Sequence, residues 1–305
     1  MTSDKIAICT SAYPIDAEFL ADYGRGIAEV TAAYPDAFLA IAAETNFERS
    51  TLLEYLPDRI EVLFDGGGMV AQPALLRRRM ISLGVESGAD LLVFVDLDDR
   101  LADDALESHV AALSTADISY GDLIPTDISG RPYARTFFES AEVPNRVCTF
   151  EPLLKRNFIG FSNSAVRRTV LDRVLEPIPA HVKAADWWFF SQLLMSGAVA
   201  QRTTRPVVYY RNYAESLLGS APAASVSSLL MRARMALAHC DALALPGDLA
   251  GWADALSRLI AALETEPAAF SDCVAASADT PGVWFDDVGR AVTLNETRQE
   301  RPVVH

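Results

Sequence analysis

The stretch Leu91–Leu101 reads LLVFVDLDDRL, five apolar residues running straight into Asp96, Asp98 and Asp99. So short and so apolar a run reads as a strand buried on both faces. Its polar end must then emerge at a sheet edge. Three carboxylates gathered there repel one another unless a cap, a catalytic proton or a cation lies among them.

The preceding ninety residues give that strand its setting. IAICT (6–10), AFLAIAAET (37–45) and IEVLF (60–64) are further apolar runs that end in polar residues. Between them, 15–34 has apolar positions at helical spacing and stops at Pro35, and 73–88 begins with Pro and ends with Gly. DGGG (65–68) reads as a flexible loop. This alternation predicts an α/β domain with a mainly parallel sheet flanked by helices. Ligands bind such sheets beyond the carboxyl ends of the strands, so Ser11, Glu44 and the Asp cluster should face one crevice.

Further along, the pattern predicts a helix over 104–114, strands over 118–124 and 132–140 around a DISGR turn, a helix over 186–197 and a strand over 205–213. From about residue 222 the chain is Ala-rich and helical, in 227–240, 249–264 and 267–277. The composition shift near 217 divides the chain into a domain over 1–216 and a helical C-terminal extension over 217–305. Leu229, Leu230 and Met235 give that extension an apolar face, expected to pack on the first domain or to form a homodimer contact.

Charge and cysteine content narrow the functions. A net charge of −15 over 305 residues disfavours wrapping nucleic acid or lying on anionic lipid. Cys9, Cys148, Cys240 and Cys273 are scattered, without zinc-ligand spacing, as reduced thiols in a cytoplasmic protein would be. MTSDKIAICTS lacks the apolar core of a signal peptide, and no run approaches the roughly 18 apolar residues of a membrane span.

Helix capping explains Asp104, which with Glu107 forms a capping-box variant, but not Asp96 and Asp98 several residues earlier. A hard divalent cation takes oxygen ligands and cancels the repulsion, so Mg²⁺ or Mn²⁺ holding a diphosphate suits the cluster. Asp186 could cap its helix or expose its carboxylate as a base. Trp187 and Trp188 are adjacent, so at most one lines a site. Of Arg77, Arg78 and Arg79, two are expected on the solvated face of their helix.

Several segments, in order over roughly residues 4–216, resemble the family-2 glycosyltransferases of the GT-A fold. CTSAYP resembles the first-strand loop that lies against the nucleoside base, which implies donor contacts for Thr10, Ser11, Ala12 and Tyr13. Glu44 stands where the family has an acid near the base or ribose. RRRMISLGVESGADLLVFVDLDD resembles the segment that joins a donor-binding Arg, here Arg79, to the D-x-D motif. The resemblance gives Asp96 the ribose or sugar, with Asp98 as metal ligand, Asp96 beside it in the metal shell and Leu97 between them. FSNSAVRR places Ser162 and Asn163 along the donor, AADWWFF supplies Asp186 and Trp187 as the Asp-Trp of the catalytic helix, and VVYYRNYAES supplies Arg211. Ala185 replaces an acid of the family pattern, Met80 an Asn and Tyr213 a His that completes some metal shells; no Q-x-x-R-W motif follows.

The resemblance implies a GT-A (Rossmann-like) fold with a mixed, mainly parallel sheet. It also implies metal-dependent, inverting transfer of a sugar from a nucleotide-diphosphate donor, a uridine nucleotide favoured, to an acceptor hydroxyl of unknown identity. Asp186 would be the base. A non-catalytic sugar-nucleotide-binding relative is the alternative. FVDLDDRL and VWFDDVG (283–289) also resemble haloacid-dehalogenase phosphatase motifs, but Arg100 stands in place of their Thr and three strands precede the first motif.

Overall fold

The computed structural model describes residues 4–69, 72–139, 141–173, 177–213, 225–245, 247, 249–278 and 284–300. The strands are β1 (Ile6–Ala12), β2 (Phe38–Glu44), β3 (Val62–Met69), β4 (Leu91–Phe94), β5 (Arg100–Leu101), β6 (Ile118–Tyr120), β7 (Leu123–Thr126), β8 (Arg146–Val147), β9 (Ser164–Arg167), β10 (Ala200–Arg202) and β11 (Val208–Arg211). The helices are α1 (Ala17–Ala33), α2 (Arg49–Leu53), α3 (Pro73–Glu86), α4 (Ala105–Leu113), α5 (Glu151–Leu154), α6 (Arg168–Leu171), α7 (Ala185–Met195), α8 (Val226–Leu243), α9 (Ala250–Thr265), α10 (Ser271–Ala278) and α11 (Asp286–Glu300).

An eight-stranded sheet runs in the order β3-β2-β1-β4-β9-β6-β10-β8. The first four strands are parallel, β9 is antiparallel to both its neighbours, and β6 and β10 are again parallel. The predicted mixed, mainly parallel sheet is therefore present. Its central strands β1, β2 and β4 are buried almost throughout, which is why their sequences are continuously apolar rather than alternating. A second sheet, β5-β11-β7, pairs Arg100 and Leu101 with Tyr209 and Val208 just after the acidic cluster.

Four sequence expectations need correction. DGGG is no loop: β3 continues through it to Met69, paired with β2. The run 118–124 is broken at Gly121 and Asp122, and its halves lie in different sheets. A Cβ at Gly121 would come within 2.7 Å of Val207 and Thr203, so glycine lets the chain turn there. Residues 132–139 are not a strand. Only Pro132 bridges to Thr126, and proline offers no N–H to extend a ladder. Helix α11 was not foreseen, because its buried apolar positions, Val288, Ala291 and Val292, are too sparse to stand out in DDVGRAVTLNETRQE.

The chain divides into two units. One comprises 1–136, 144–150 and 159–211, with both sheets; the other comprises 137–143, 151–158 and 212–305. The predicted boundary at 216/217 lies outside the described residues. In the second unit α8, α9 and α11 pack on one another, and Arg232 and Asp287 form a buried ion pair at 3.2 Å. Leu229 and Met235 are buried and Leu230 is half-buried. Trp284 receives the earlier segments: Asn157 donates its N–H to the Trp284 carbonyl at 2.9 Å, and the Phe137 ring lies 5.7 Å from the indole. Asp286 and Asp287, the acids of VWFDDVG, pair with Arg156 and Arg232 inside this unit. No helix among the described residues is long and apolar enough to cross a membrane.

Gly84 sets how closely α3 lies on the central sheet. A Cβ there would stand 2.8 Å from both Cys9 Sγ of β1 and Leu92 Cδ2 of β4. Gly84→Val should therefore destabilise the chain by about 1–3 kcal/mol through overpacking, read as a lowered urea midpoint by circular dichroism. An unchanged midpoint would mean that the helix stands farther off the sheet.

Candidate active site

Strand β4 ends at Phe94, and the chain then folds into a tight turn in which the Asp99 N–H donates to the Asp96 carbonyl at 3.1 Å. Asp96, Asp98 and Asp99 thereby turn one carboxylate oxygen each into a common space, all within 4.8 Å of one another. Asp98 lies under Tyr13, whose hydroxyl donates to Asp98 Oδ1 at 3.2 Å. Asp96 accepts from Ser162 at 2.8 Å and forms an ion pair with Arg77. Asp99 is buried and accepts the Arg211 backbone N–H at 2.8 Å.

The electrostatics follow from this crowding. Burial pushes the Asp99 carboxyl well above the usual carboxylate range; the charges of Asp98 and Asp96 push it further, against the opposing pull of Ser162 and the Arg211 amide. Burial works against the Arg77 charge. The fields of Asp96, Tyr13 and Asp186 together with the Asp96 hydrogen bond outweigh it, so Arg77 is held above its ordinary value. Arg77 also lies 5.3 Å over the Phe161 ring.

Asp186 sits in the first turn of α7, not at its N-cap, which is Ala184. Its Oδ1 accepts the Trp187 N–H at 2.8 Å, and its charge reaches Arg77 across the packed helices α3 and α7. Asp186 is half-buried, while Trp187 and Trp188 are both buried in the core.

The other predicted site residues divide clearly. Ala12 ends β1 and Glu44, half-buried, ends the neighbouring β2, so both reach the edge where Asp96 emerges from β4. Thr10 and Ser11 are buried below that edge, bonded to the Tyr23 hydroxyl at 2.8 Å and to Met80 Sδ at 3.5 Å. Leu97 is buried. Both ends of the Asn163 amide hold backbone, accepting from Gly160 N–H at 2.7 Å and donating to Gly121 O at 2.6 Å. Arg79 turns away to Asp65 and Glu86.

The residue that sequence reasoning missed is Arg77; Asp99 belongs to the predicted acidic cluster, but only Asp98 and Asp96 were expected as ligands. Arg77 lies three residues from both Ala74 and Met80, buried residues of α3, and so stands within the helix face turned to the sheet; Arg79 has one such neighbour, Leu76, and stands at the margin of that face. That spacing was the available signal.

The cluster suits a hard divalent cation. All its ligand atoms are carboxylate oxygens, and Asp99 Oδ2 is buried without a hydrogen-bond partner among the described residues. Metal–oxygen bonds of about 2.1 Å place the oxygens of one ion roughly 3–4 Å apart, and those of the cluster all lie within 4.8 Å of one another.

No protein-family model matches the sequence, and no curated protein matches it either. Solved structures do. One is Staphylococcus aureus TarS 1–349 in complex with UDP-GlcNAc, with a TM-score of 0.57, 10% identity, and coverage of 97% of this chain and 92% of that one. Another is the mannosyltransferase PcManGT from Pyrobaculum calidifontis in complex with GDP-Man and Mn²⁺, with a TM-score of 0.57, 13% identity, and coverage of 97% and 87%. The chain has the GT-A fold of these glycosyltransferases.

The raised Asp99 carboxyl gives a signed pH effect. The folded chain holds that proton more tightly than the unfolded chain, so without divalent cations stability falls as pH rises from the usual carboxylate range toward the folded value. Asp99→Asn, which keeps an oxygen for the Arg211 amide, should remove that part of the slope and raise the Tm in EDTA at pH 8. A lower Tm for Asp99→Asn at that pH would show that the carboxylate is not frustrated.

Proposed function

We propose that this protein is a metal-dependent, inverting glycosyltransferase of hexosyltransferase type, moving a sugar from a nucleotide-diphosphate donor to an acceptor hydroxyl. The observation that carries the proposal is the convergence of Asp96, Asp98, Asp99, Arg77 and Asp186 at the carboxyl edge of a GT-A sheet. The bound nucleotide sugars of TarS and the mannosyltransferase support the donor class. They differ in nucleotide; the resemblance of the first-strand loop favours uridine here.

Tyr13 and Glu44 would face the nucleoside, and Asp96 with Ser162 the ribose or sugar. Asp98, Asp99 and Asp96 would hold Mg²⁺ or Mn²⁺, and the Mn²⁺ bound to the mannosyltransferase supports such an ion. Such an ion would supply positive charge against the diphosphate as it leaves. Arg77, kept charged by its neighbours, fixes the Asp96 carboxylate. The acceptor oxygen attacks the anomeric carbon from the face opposite the diphosphate, the carbon–diphosphate bond breaks, and Asp186 takes the acceptor proton. No protein acid is needed for a leaving group that is already anionic. The free thiols, Cys9, Cys148, Cys240 and Cys273, support a cytoplasmic location, and we extend the proposal to a homodimer through the C-terminal helices.

Two substitutions test this. Asp186→Asn keeps an oxygen for the Trp187 N–H, so its Tm and donor binding should match wild type while transfer falls on the order of 10²–10⁴-fold. Near-normal turnover would remove Asp186 from the mechanism. Asp98→Asn should weaken Mn²⁺-dependent nucleotide binding sharply in a thermal-shift titration, whereas binding with unaltered metal dependence would exclude Asp98 as a ligand. Release of nucleoside diphosphate from a donor and acceptor panel separates the enzyme from a non-catalytic binder.

A further inference from the structure

The resemblance gave Arg211 to the donor, but the structure turns its side chain the other way. Val208 and Tyr209 of β11 pair antiparallel with Leu101 and Arg100, and continuing that register sets Arg211 opposite Asp98. From there its backbone N–H reaches Asp99 Oδ1 at 2.8 Å and its Nε donates to the Asp98 carbonyl at 3.0 Å. One terminal nitrogen meets Asp22 of α1 at 2.7 Å and the other donates to the Ile128 carbonyl. The guanidinium lies 4.2 Å over the Phe19 ring, and the residue is only 4% exposed. Gly130 closes the node. Its φ is +77°, and a Cβ there would stand 2.6 Å from Asp22 Oδ2.

We infer that Arg211 is a positioning residue: it grips the acidic turn from behind and makes the 127–131 turn and the cation-binding carboxylates one mechanical unit. A guanidinium suits this task because its planar fork holds several acceptors in fixed directions, which an ammonium cannot do. Asp98 is held through its main chain, and its carboxylate accepts instead from Tyr13 on the other side. Asp99 is held through its side chain, with Oδ1 taken by the Arg211 N–H. Partners that orient metal ligands in this way typically govern affinity by 10–100-fold. The inference rests on the metal reading above, and its test keeps the two apart.

The test uses the full chain and Mn²⁺ alone, read by the electron paramagnetic resonance signal of the free ion, together with amide hydrogen exchange over 98–101 without metal. Arg211→Met should raise the Mn²⁺ Kd about tenfold or more and speed exchange in that segment. Arg211→Lys, which keeps the charge beside Asp22 but not the fork, should do so by a smaller factor. Gly130→Ala touches no carboxylate of the cluster yet should weaken Mn²⁺ binding several-fold. Gly88→Ala introduces a similar positive-φ strain (φ +73°) in open space and should lower the Tm without changing the Mn²⁺ Kd. Folded Arg211 variants with wild-type Kd and exchange would overturn the inference, as would equal Mn²⁺ losses in Gly130→Ala and Gly88→Ala. If Arg211→Met does not fold, the lysine and Gly130 variants still decide. A wild-type chain that leaves the Mn²⁺ signal unchanged overturns the metal reading, while unchanged exchange in the variants overturns only the role of Arg211.

Discussion

Mutual repulsion among Asp96, Asp98 and Asp99 is the constraint around which the carboxyl edge of the sheet is arranged. Two unit charges 4 Å apart repel by roughly 4 kcal/mol at an effective dielectric of about 20, a large fraction of a domain's net stability. The chain meets this load from two sides. Arg77 sets a full positive charge against Asp96, and Arg211 places a main-chain and a side-chain donor behind Asp98 and Asp99. Both arginines are themselves covered by a phenylalanine ring, Phe161 and Phe19 respectively. Burial, and after it the repulsion that these partners leave uncompensated, raises the Asp99 carboxyl, and a cation would relieve it.

Precision at the site comes from an apolar layer beneath it. Phe94 on β4, Phe161 beside Ser162, and Phe189 and Phe190 on α7 form one cluster with ring centroids 5.1–6.4 Å apart. Aromatic pairs at such distances contribute about 0.5–1.5 kcal/mol each beyond their area burial and prefer defined angles. Asp96, Ser162 and Asp186 therefore rise from elements that share one interlocked base, although nearly a hundred residues separate the first from the last.

Much of this was legible in the sequence because burial on both faces of a parallel sheet leaves an unmistakable mark. IAICT, AFLAIAAE and LLVFV could be little else, and the polar residues at their ends had to meet at one edge. Less legible were features decided by direction rather than position. Arg79 and Arg77 both stand in an arginine run, and only the helix face shared with Ala74 and Met80 distinguishes them. Arg211 adjoins the acidic turn as a family motif would suggest, but its side chain enters the core through a strand register that no local pattern encodes. Trp187 follows Asp186 directly and is nevertheless core, since neighbours on a helix point apart. DGGG carries turn chemistry, yet pairing with β2 overrides it.

The second unit is discontinuous in sequence, and that bears on how the chain is made. Residues 137–143 and 151–158 leave the ribosome well before Trp284, whose carbonyl and ring receive Asn157 and Phe137. At 5–20 residues per second, roughly 130 residues of synthesis separate Asn157 from its partner, an interval of several seconds or more. Throughout it, Phe137 and Phe158 lack the tail that completes their unit. β9 and α7 lie in the same interval and belong to the first unit, so the nascent chain must build the sheet around two segments still waiting for their partners. Long-range closure of this kind is slow and exposes apolar surface while it lasts. The unit that contains none of the acidic cluster is thus the one whose assembly must wait for Trp284.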